Sequence, residues 1–277
     1  MRHSRTVSRS TLLAGAVFAS LALAIPAFAE PIGVLVLKEH GVGSPTLAQP
    51  YVDKFVAMAA KLNGWDAAKG LYVTTRPAAE AFIQSDNPHY GIFSLAALLA
   101  LRQKYDLAII GRVGSTLVGG QQYFVVSKEA TDLAGCKGAK LASDHTDDAR
   151  FVERIVARGA FVLGDFQVVQ NQRPLQSTKQ LLAGEVRCAL IDDAQRGELP
   201  HLEGGGDVRV VWESATLPAL TLAAFPAASE DERAKFRDSL RTVCEGEGKS
   251  ACAEVGVSSL EAASPAEYAD LVARYGS

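Results

Sequence analysis

The chain has 277 residues, of which 48% are hydrophobic and 21% are charged, and its formal net charge at pH 7 is −3. The hydrophobic share is too high for a disordered protein. The acidic balance argues against nucleic-acid binding, which requires a basic face. A chain of this length is enough for one large domain or for two lobes.

The first 29 residues have the organisation of a secretory signal peptide. Arg2, Arg5 and Arg9 form a basic head, a largely apolar run follows over 12–25, and an A-x-A cleavage motif closes it over 27–29. The run is shorter than the roughly 20 residues of a membrane span. We expect a periplasmic mature protein that does not itself span the membrane, with net charge −6 after loss of three arginines and no acids. The alternative is a leader that is retained as an anchor.

Apolar and amphipathic segments alternate in the first part of the mature chain. Strands are predicted over 32–37, 71–74, 90–93 and 107–111, and helices over 50–63, 77–84 and 95–103. The helix over 50–63 has one apolar stripe and ends at Asn63-Gly64, as a helix C-terminus should. This order predicts a mostly parallel sheet flanked by helices.

Glycines 114, 119 and 120 mark a crossing into a second block with the same rhythm. Strands are predicted there over 123–127, 140–142, 166–170, 186–191 and 208–212, and helices over 146–158 and 175–183. A second crossing near 214–218 leads to a strand over 220–225 and helices over 230–242, 248–255 and 265–275. We therefore expect a two-lobed α/β fold. Lobe 2, residues 118–213, is inserted between two parts of lobe 1, residues 30–117 and 214–277.

Four cysteines follow the leader: Cys136, Cys188, Cys244 and Cys252. An even count in an oxidising compartment favours disulfides over metal binding or a catalytic thiol. Three pairings are possible. Cys244 and Cys252 bracket a short polar segment, so we expect them to pair locally, which leaves Cys136 with Cys188.

Several segments resemble the periplasmic substrate-binding proteins of phosphonate-type ABC transporters. The segments QYFVVS (122–127), DLAG (132–135) and KLA (140–142) resemble the family's opening of the second lobe. LAGEV (182–186) with CALIDD (188–193) resembles a strand at the cleft, although Arg187 replaces the family's acid, and WES (212–214) to Leu217-Pro218 resembles the return crossing. The resemblance implies a class II periplasmic-binding-protein fold with two hinge crossings. It also implies a solute-binding function, with an inner-membrane transporter as the partner.

Candidate ligand-binding residues lie where strands are expected to end at the cleft, because ligands of such sheets bind beyond the carboxyl ends of strands. They are Lys38, Glu39, His40, Ser94, Leu95, Tyr123, Ser143, Asp144, His145, Thr146, Asp192, Asp193 and Ser214. The loop over 143–148 contains three carboxylates where phosphonate-binding relatives are rich in Ser and Thr. This loop and the Asp192-Asp193 pair would repel an anion, so we expect a cationic, polyol or apolar ligand rather than a small phosphonate. Helix N-capping is the alternative role for Asp144 and Thr146.

Three other functions are compatible with parts of the sequence. An enzyme would use His40, His145, Asp192 and Asp193 as acid–base groups, but the chain has no G-x-S-x-G, H-E-x-x-H or glycine-rich phosphate motif. A metal site would gather His40, Asp144, His145 and Asp192, but these lack the short spacing of common metal motifs. A carrier of a sterol or another lipid would use Leu95, Leu117, Leu217 and Leu220. We expect no catalytic residue, metal or cofactor, and a small-molecule or lipid ligand.

Overall fold

The computed structural model describes residue 1 and residues 30–40, 44–116 and 119–277. The predicted signal peptide, apart from its first residue, and Leu117 therefore lie outside the described residues. Within those ranges, no helix combines the length and the apolar character needed to cross a membrane.

The strands and helices follow the predicted alternation along the chain. The strands are β1 (Ile32–Leu37), β2 (Ala68–Val73), β3 (Tyr90–Ser94), β4 (Ala108–Ser115), β5 (Tyr123–Ser127), β6 (Lys140–Ser143), β7 (Gln167–Gln170), β8 (Cys188–Asp192), β9 (Arg209–Glu213), β10 (Leu220–Ala224) and β11 (Val257–Ala262). The helices are α1 (Pro45–Asn63), α2 (Arg76–Asp86), α3 (Leu95–Leu101), α4 (Pro174–Leu182), α5 (Asp193–Glu198), α6 (Glu230–Val243), α7 (Gly248–Glu254) and α8 (Ala269–Gly276). Short 3₁₀ turns lie at Ala134–Cys136, Leu163–Asp165, Leu199–His201, Gly205–Asp207 and Pro265–Tyr268, and a π-helical segment lies at Phe151–Val156.

These strands form two sheets, one in each lobe. The sheet of lobe 1 has the order β11-β4-β10-β3-β1-β2, and the sheet of lobe 2 has the order β7-β6-β8-β5-β9. The chain leaves lobe 1 after β4 and returns to it with β10. The predicted two-lobed α/β class is confirmed.

Both sheets are mixed rather than mostly parallel. In lobe 1, β10 runs antiparallel between β3 and β4, and β11 runs antiparallel to β4. In lobe 2, β5 runs antiparallel to β8 and β9. A parallel neighbour needs a crossover connection, usually a helix. Strands β5 and β10 enter their sheets directly from the other lobe, without such a crossover. Each of them runs antiparallel to its neighbours.

Other differences from prediction lie where side chains set the local structure. Strand β11 and helix α5 were not predicted. The helix expected over 146–158 is represented by the short segment Phe151–Val156. Its start is set by Asp148, whose Oδ1 accepts a hydrogen bond from the Phe151 N–H. Residues 144–147 therefore stay outside the helix and are free to contact lobe 1.

Each face of the lobe 1 sheet is covered by an apolar layer. Leu35, Leu37 and Phe93 belong to one buried cluster, and Val34 and Ile92 belong to another beneath α1. Near-continuous apolar strands are expected where helices cover both faces. Disulfides join Cys136 to Cys188 and Cys244 to Cys252, which are the pairs expected from the sequence.

Candidate functional site

A cavity of about 40 Å³ lies between the two lobes. It is lined by Lys38, Glu39, His40, Ser94, Leu95, Ala96, Gly119, Gly120, Tyr123, His145, Asp192, Ala194, Ala219 and Leu220. Lobe 1 contributes the residues after β1 and β3 and those before β10, whereas lobe 2 contributes Tyr123 of β5 and the residues after β6 and β8. The cavity therefore lies at the carboxyl ends of parallel strands, as the strand order predicts.

Lys38 follows β1 and faces this cavity from lobe 1. Its side chain is partly buried, and its ammonium group makes no hydrogen bond or ion pair with any described residue. Burial lowers the pKa of Lys38, and the negative charges of Asp192 and Asp193 offset part of that effect. A buried charge without a bonded partner is unfavourable, so this ammonium group is available to bond a ligand in the cavity.

Two cavity residues cap short helices at the ends of their strands. Ser94 Oγ accepts a hydrogen bond from the Ala97 N–H at the start of α3. Asp192 Oδ1 accepts from the Gln195 N–H at the start of α5, and Gln195 Oε1 accepts in return from the Asp192 N–H. This reciprocal pair is a capping box. Both side chains are thus oriented by the backbone that follows them.

Three aromatic rings meet along the cavity wall. The Tyr123 ring makes an edge contact with His145 at 5.1 Å between centroids, and His145 makes another with His40 at 4.7 Å. Burial raises the pKa of Tyr123 well above its ordinary value, so its hydroxyl stays protonated. His40 adopts φ +56°, a left-handed backbone conformation that is uncommon without glycine. It connects the lobes, because it belongs to lobe 1 whereas His145 belongs to lobe 2.

His40 also contacts two carboxylates of lobe 2. Its Nε2 lies 3.4 Å from Asp147 Oδ1, and its Nδ1 lies 3.8 Å from Asp144 Oδ2. Burial lowers the pKa of His40, but the hydrogen bond and charge of Asp147, with the charges of Asp144 and Glu39, outweigh burial and raise it above its usual value. Asp147 in turn has a lowered pKa, because its bond with His40 outweighs its own burial.

A second group of contacts joins the lobes beside the cavity. Arg76, at the start of α2, donates two hydrogen bonds to Glu39, from Nε at 2.5 Å and from Nη2 at 3.1 Å. Its Nη1 lies 2.9 Å from Asp148 Oδ2 in lobe 2, and that oxygen also accepts a hydrogen bond of 2.9 Å from the Tyr275 hydroxyl. Burial raises the pKa of Glu39, and Arg76 counteracts part of the rise. These residues hold the lobes together.

Eight of the thirteen candidate ligand residues line the cavity. They are Lys38, Glu39, His40, Ser94, Leu95, Tyr123, His145 and Asp192. The grouping follows from the strand order, which brings the ends of β1, β3, β6 and β8 together.

The other five candidates do not line the cavity. Asp193 accepts hydrogen bonds from the N–H groups of residues 119, 121 and 122, and so holds the first crossing. Ser214 Oγ accepts from the Tyr123 N–H in the second crossing. Ser143 Oγ donates to Leu190 O, and Thr146 Oγ1 is buried without a hydrogen-bond partner among the described residues.

Asp144, the fifth of these, lies behind the cavity. Its Oδ1 accepts a hydrogen bond of 2.9 Å from Gln195 Nε2. The three acids expected to face the ligand are instead engaged elsewhere: Asp144 and Asp147 contact His40, and Asp148 contacts Arg76. The acids of this loop therefore do not line the cavity, whereas Asp192 does.

Sequence reasoning missed two residues that organise this region. Gln195 contacts both Asp144 and His145 Nε2, the latter at 3.2 Å through its Oε1. A Gln three residues after Asp192 fits the capping-box pattern, so the sequence could have predicted this contact. Arg76 was missed because its partners are distant in sequence. The order β2-β1-β3 would have placed the start of α2 next to Glu39.

Comparisons with known proteins agree with this architecture. Residues 70–268 match the family described as ABC transporter, phosphonate, periplasmic substrate-binding protein. No curated protein matches the chain.

Among solved structures, a Xanthomonas citri protein bound to chloride ion has a TM-score of 0.67 at 11% identity, covering 88% of this chain and 96% of its own. The binding protein component of an ABC phosphonate transporter from Pseudomonas aeruginosa has a TM-score of 0.61 at 14% identity, covering 84% and 82%. PhnD1 from Prochlorococcus marinus, in complex with methylphosphonate, has a TM-score of 0.64 at 9% identity, covering 87% and 96%. At these identities the likeness establishes the fold alone.

The family model covers most of the chain, and the family predicted from the resemblance is confirmed. This family consists of solute-binding proteins, so it gives no support to the alternatives in which the protein's function is that of an enzyme, a metal-binding protein or a lipid carrier. The chain belongs to the family of periplasmic substrate-binding proteins of phosphonate ABC transporters.

Proposed function

We propose that this protein captures a small oxoanion between its lobes and delivers it to an ABC transporter in the inner membrane. The mature chain would consist of lobe 1, residues 30–117 and 214–277, and lobe 2, residues 118–213, which close about the two crossings. Family membership supports the solute-binding role. The charge of the ligand is inferred from the cavity.

The unpaired ammonium group of Lys38 carries this proposal. It is partly buried at the cavity and has neither a hydrogen-bond nor an ion-pair partner among the described residues. An oxoanion would supply that partner, and a hydrogen bond between charged groups is stronger than one between neutral groups. The Tyr123 hydroxyl, kept protonated by burial, is available as a further donor.

The size of the cavity favours a small ligand, and its charges are compatible with an oxoanion. A volume of about 40 Å³ holds only a few water molecules, since each needs roughly 10–15 Å³. A sterol or other lipid is much larger. The acids of the loop over 143–148 contact His40 and Arg76 instead of lining the cavity. Two carboxylates do line it, but Glu39 is paired with Arg76 and Asp192 caps α5. Relatives in fold include a phosphonate-transporter component and a methylphosphonate complex, which agrees with this ligand class.

Isothermal titration calorimetry with methylphosphonate, inorganic phosphate and methanesulfonate tests the proposal. We expect one of these to bind and Lys38→Met to weaken that binding by about 1.5–3 kcal/mol, the range of a charge-assisted hydrogen bond. Lys249→Met is the matched control, because Lys249 is exposed on α7. Native mass spectrometry of the protein from its own periplasm identifies any solute that co-purifies. A cationic or lipid solute, together with no binding of the three anions, would refute the proposal.

A further inference from the structure

At the wall of the cavity, two imidazoles and a carboxylate meet at the boundary between the lobes. One potential ligand atom from each of His40, Asp144 and His145 lies within 4.8 Å of the other two. His40 comes from lobe 1, whereas Asp144 and His145 come from lobe 2. The cluster therefore exists only while the lobes are in contact.

The carboxylate of Asp144 is buried but incompletely bonded. Its side chain is 2% exposed, and Oδ2 has no hydrogen-bond partner within the described residues. His40 Nδ1 lies 3.8 Å from that oxygen, which is too long for a hydrogen bond. An unsatisfied buried carboxylate oxygen is costly, so this oxygen is available to bond a cation.

The surrounding residues orient the cluster as the outer shell of a metal site would. Asp147 Oδ1 lies 3.4 Å from His40 Nε2, which directs the other ring nitrogen, Nδ1, towards Asp144. Gln195 donates to Asp144 Oδ1 and contacts His145 Nε2. Metal-ligating histidines commonly bond a carboxylate or another acceptor through their second nitrogen, which fixes the tautomer and the ring orientation.

We propose that His40, Asp144 and His145 bind a divalent transition metal of the zinc class. Imidazole nitrogens and a carboxylate oxygen suit zinc, and a site with three protein ligands leaves a further position for water or another small ligand. Because the ligands come from both lobes, the metal binds the closed arrangement and stabilises it. It is an accessory of the solute-binding protein and not its cargo.

Zinc titration of the tag-free mature protein, stripped with a chelator and free of added solute, tests this site. We expect one zinc ion per chain, a raised melting temperature and a smaller radius of gyration by small-angle scattering. His40→Ala should weaken zinc binding by about 10–100-fold or more and abolish the compaction. Loss of a residue that only bonds a metal ligand already costs that much in metal affinity. Asp147→Asn should reduce zinc affinity less than His40→Ala does, because Asp147 orients His40 without binding the metal itself.

His201→Ala is the matched control, because His201 is exposed and lies outside the cluster. His40 lies on a partly exposed loop, so its variant should remain folded, which circular dichroism verifies. Absence of stoichiometric zinc binding by the wild-type protein would overturn the proposal. Equal zinc affinity of wild type and His40→Ala would also overturn it. Neither result depends on which solute the cavity binds, so failure of the zinc site would leave the proposed solute-binding function untouched.

Discussion

Arg76 of lobe 1 lies 2.9 Å from Asp148 of lobe 2, measured between Nη1 and Oδ2. The same guanidinium group donates two hydrogen bonds to Glu39, whose side chain is 5% exposed. One arginine therefore neutralises a buried acid in its own lobe and holds an acid of the other lobe. This residue is therefore one of the contacts that join the two lobes, beside those of His40.

Arg76→Gln should loosen the contact between the lobes. It leaves the buried carboxylate of Glu39 without a cation, so we expect a loss of about 1–3 kcal/mol in the free energy of unfolding. Small-angle scattering should show a larger radius of gyration than for the wild type. Lys104→Gln is the control, since its pair with Glu80 is exposed and such pairs contribute at most about 1 kcal/mol. An unchanged radius would show that other contacts hold the lobes together.

Tyr275→Phe should alter stability at alkaline pH. Burial, with the hydrogen bond to Asp148, raises the pKa of Tyr275 from 10.0 to about 12. The folded protein thus retains this proton more strongly than the unfolded chain. The resulting stabilisation is complete below pH 10 and is lost as the pH rises from about 10 to 12.

Urea unfolding at pH 9 and pH 11 measures that difference. The variant should be less stable than the wild type at pH 9, and the gap should narrow at pH 11. Tyr51→Phe, at an exposed position of α1, is the control and should change neither value. If the difference in stability between the wild type and Tyr275→Phe instead widened from pH 9 to pH 11, folding would not raise the pKa of Tyr275.

Gln195→Ala should destabilise lobe 2. This side chain is 2% exposed, and it joins Asp144, His145 and the Asp192 backbone in one network. Removing it leaves buried polar groups unpaired, at a cost of about 1–3 kcal/mol each. Chemical denaturation should reveal the loss, whereas Gln170→Ala at an exposed edge position should have little effect. Equal stability of both variants would show that the network contributes nothing.

The two disulfides should differ in their contribution to stability. Cys136–Cys188 spans 52 residues and Cys244–Cys252 spans 8. In the chain-entropy model these loops correspond to about 4 and about 2.5 kcal/mol. Paired Cys→Ser variants, compared by urea unfolding, should therefore rank the longer loop as the more stabilising. The reverse order would rule out loop entropy as the main term.

The local sequence pattern predicted most strands and helices but not every partner. Buried strands such as β1 and β3 are continuous in apolar residues, so their ends, with Lys38 and Ser94, could be located. Strand β11 was missed because it lies at the sheet edge and its sequence, VSSLEA, is neither continuously apolar nor strictly alternating. The roles of Asp144 and Arg76 depend on partners from distant parts of the chain. Local patterns do not report such contacts.

The position of β10 has a consequence for the order in which the protein can fold. β10 lies between β3 and β4, which do not pair with each other, and it begins more than a hundred residues after β4 ends. The sheet of lobe 1 therefore stays split until the return segment arrives, whereas β5–β9 are contiguous in the chain. During passage from the N-terminus to the C-terminus through an exporter, lobe 2 can complete its sheet first. Until β10 arrives, the early strands of lobe 1 expose unpaired edges, which are sites of aggregation.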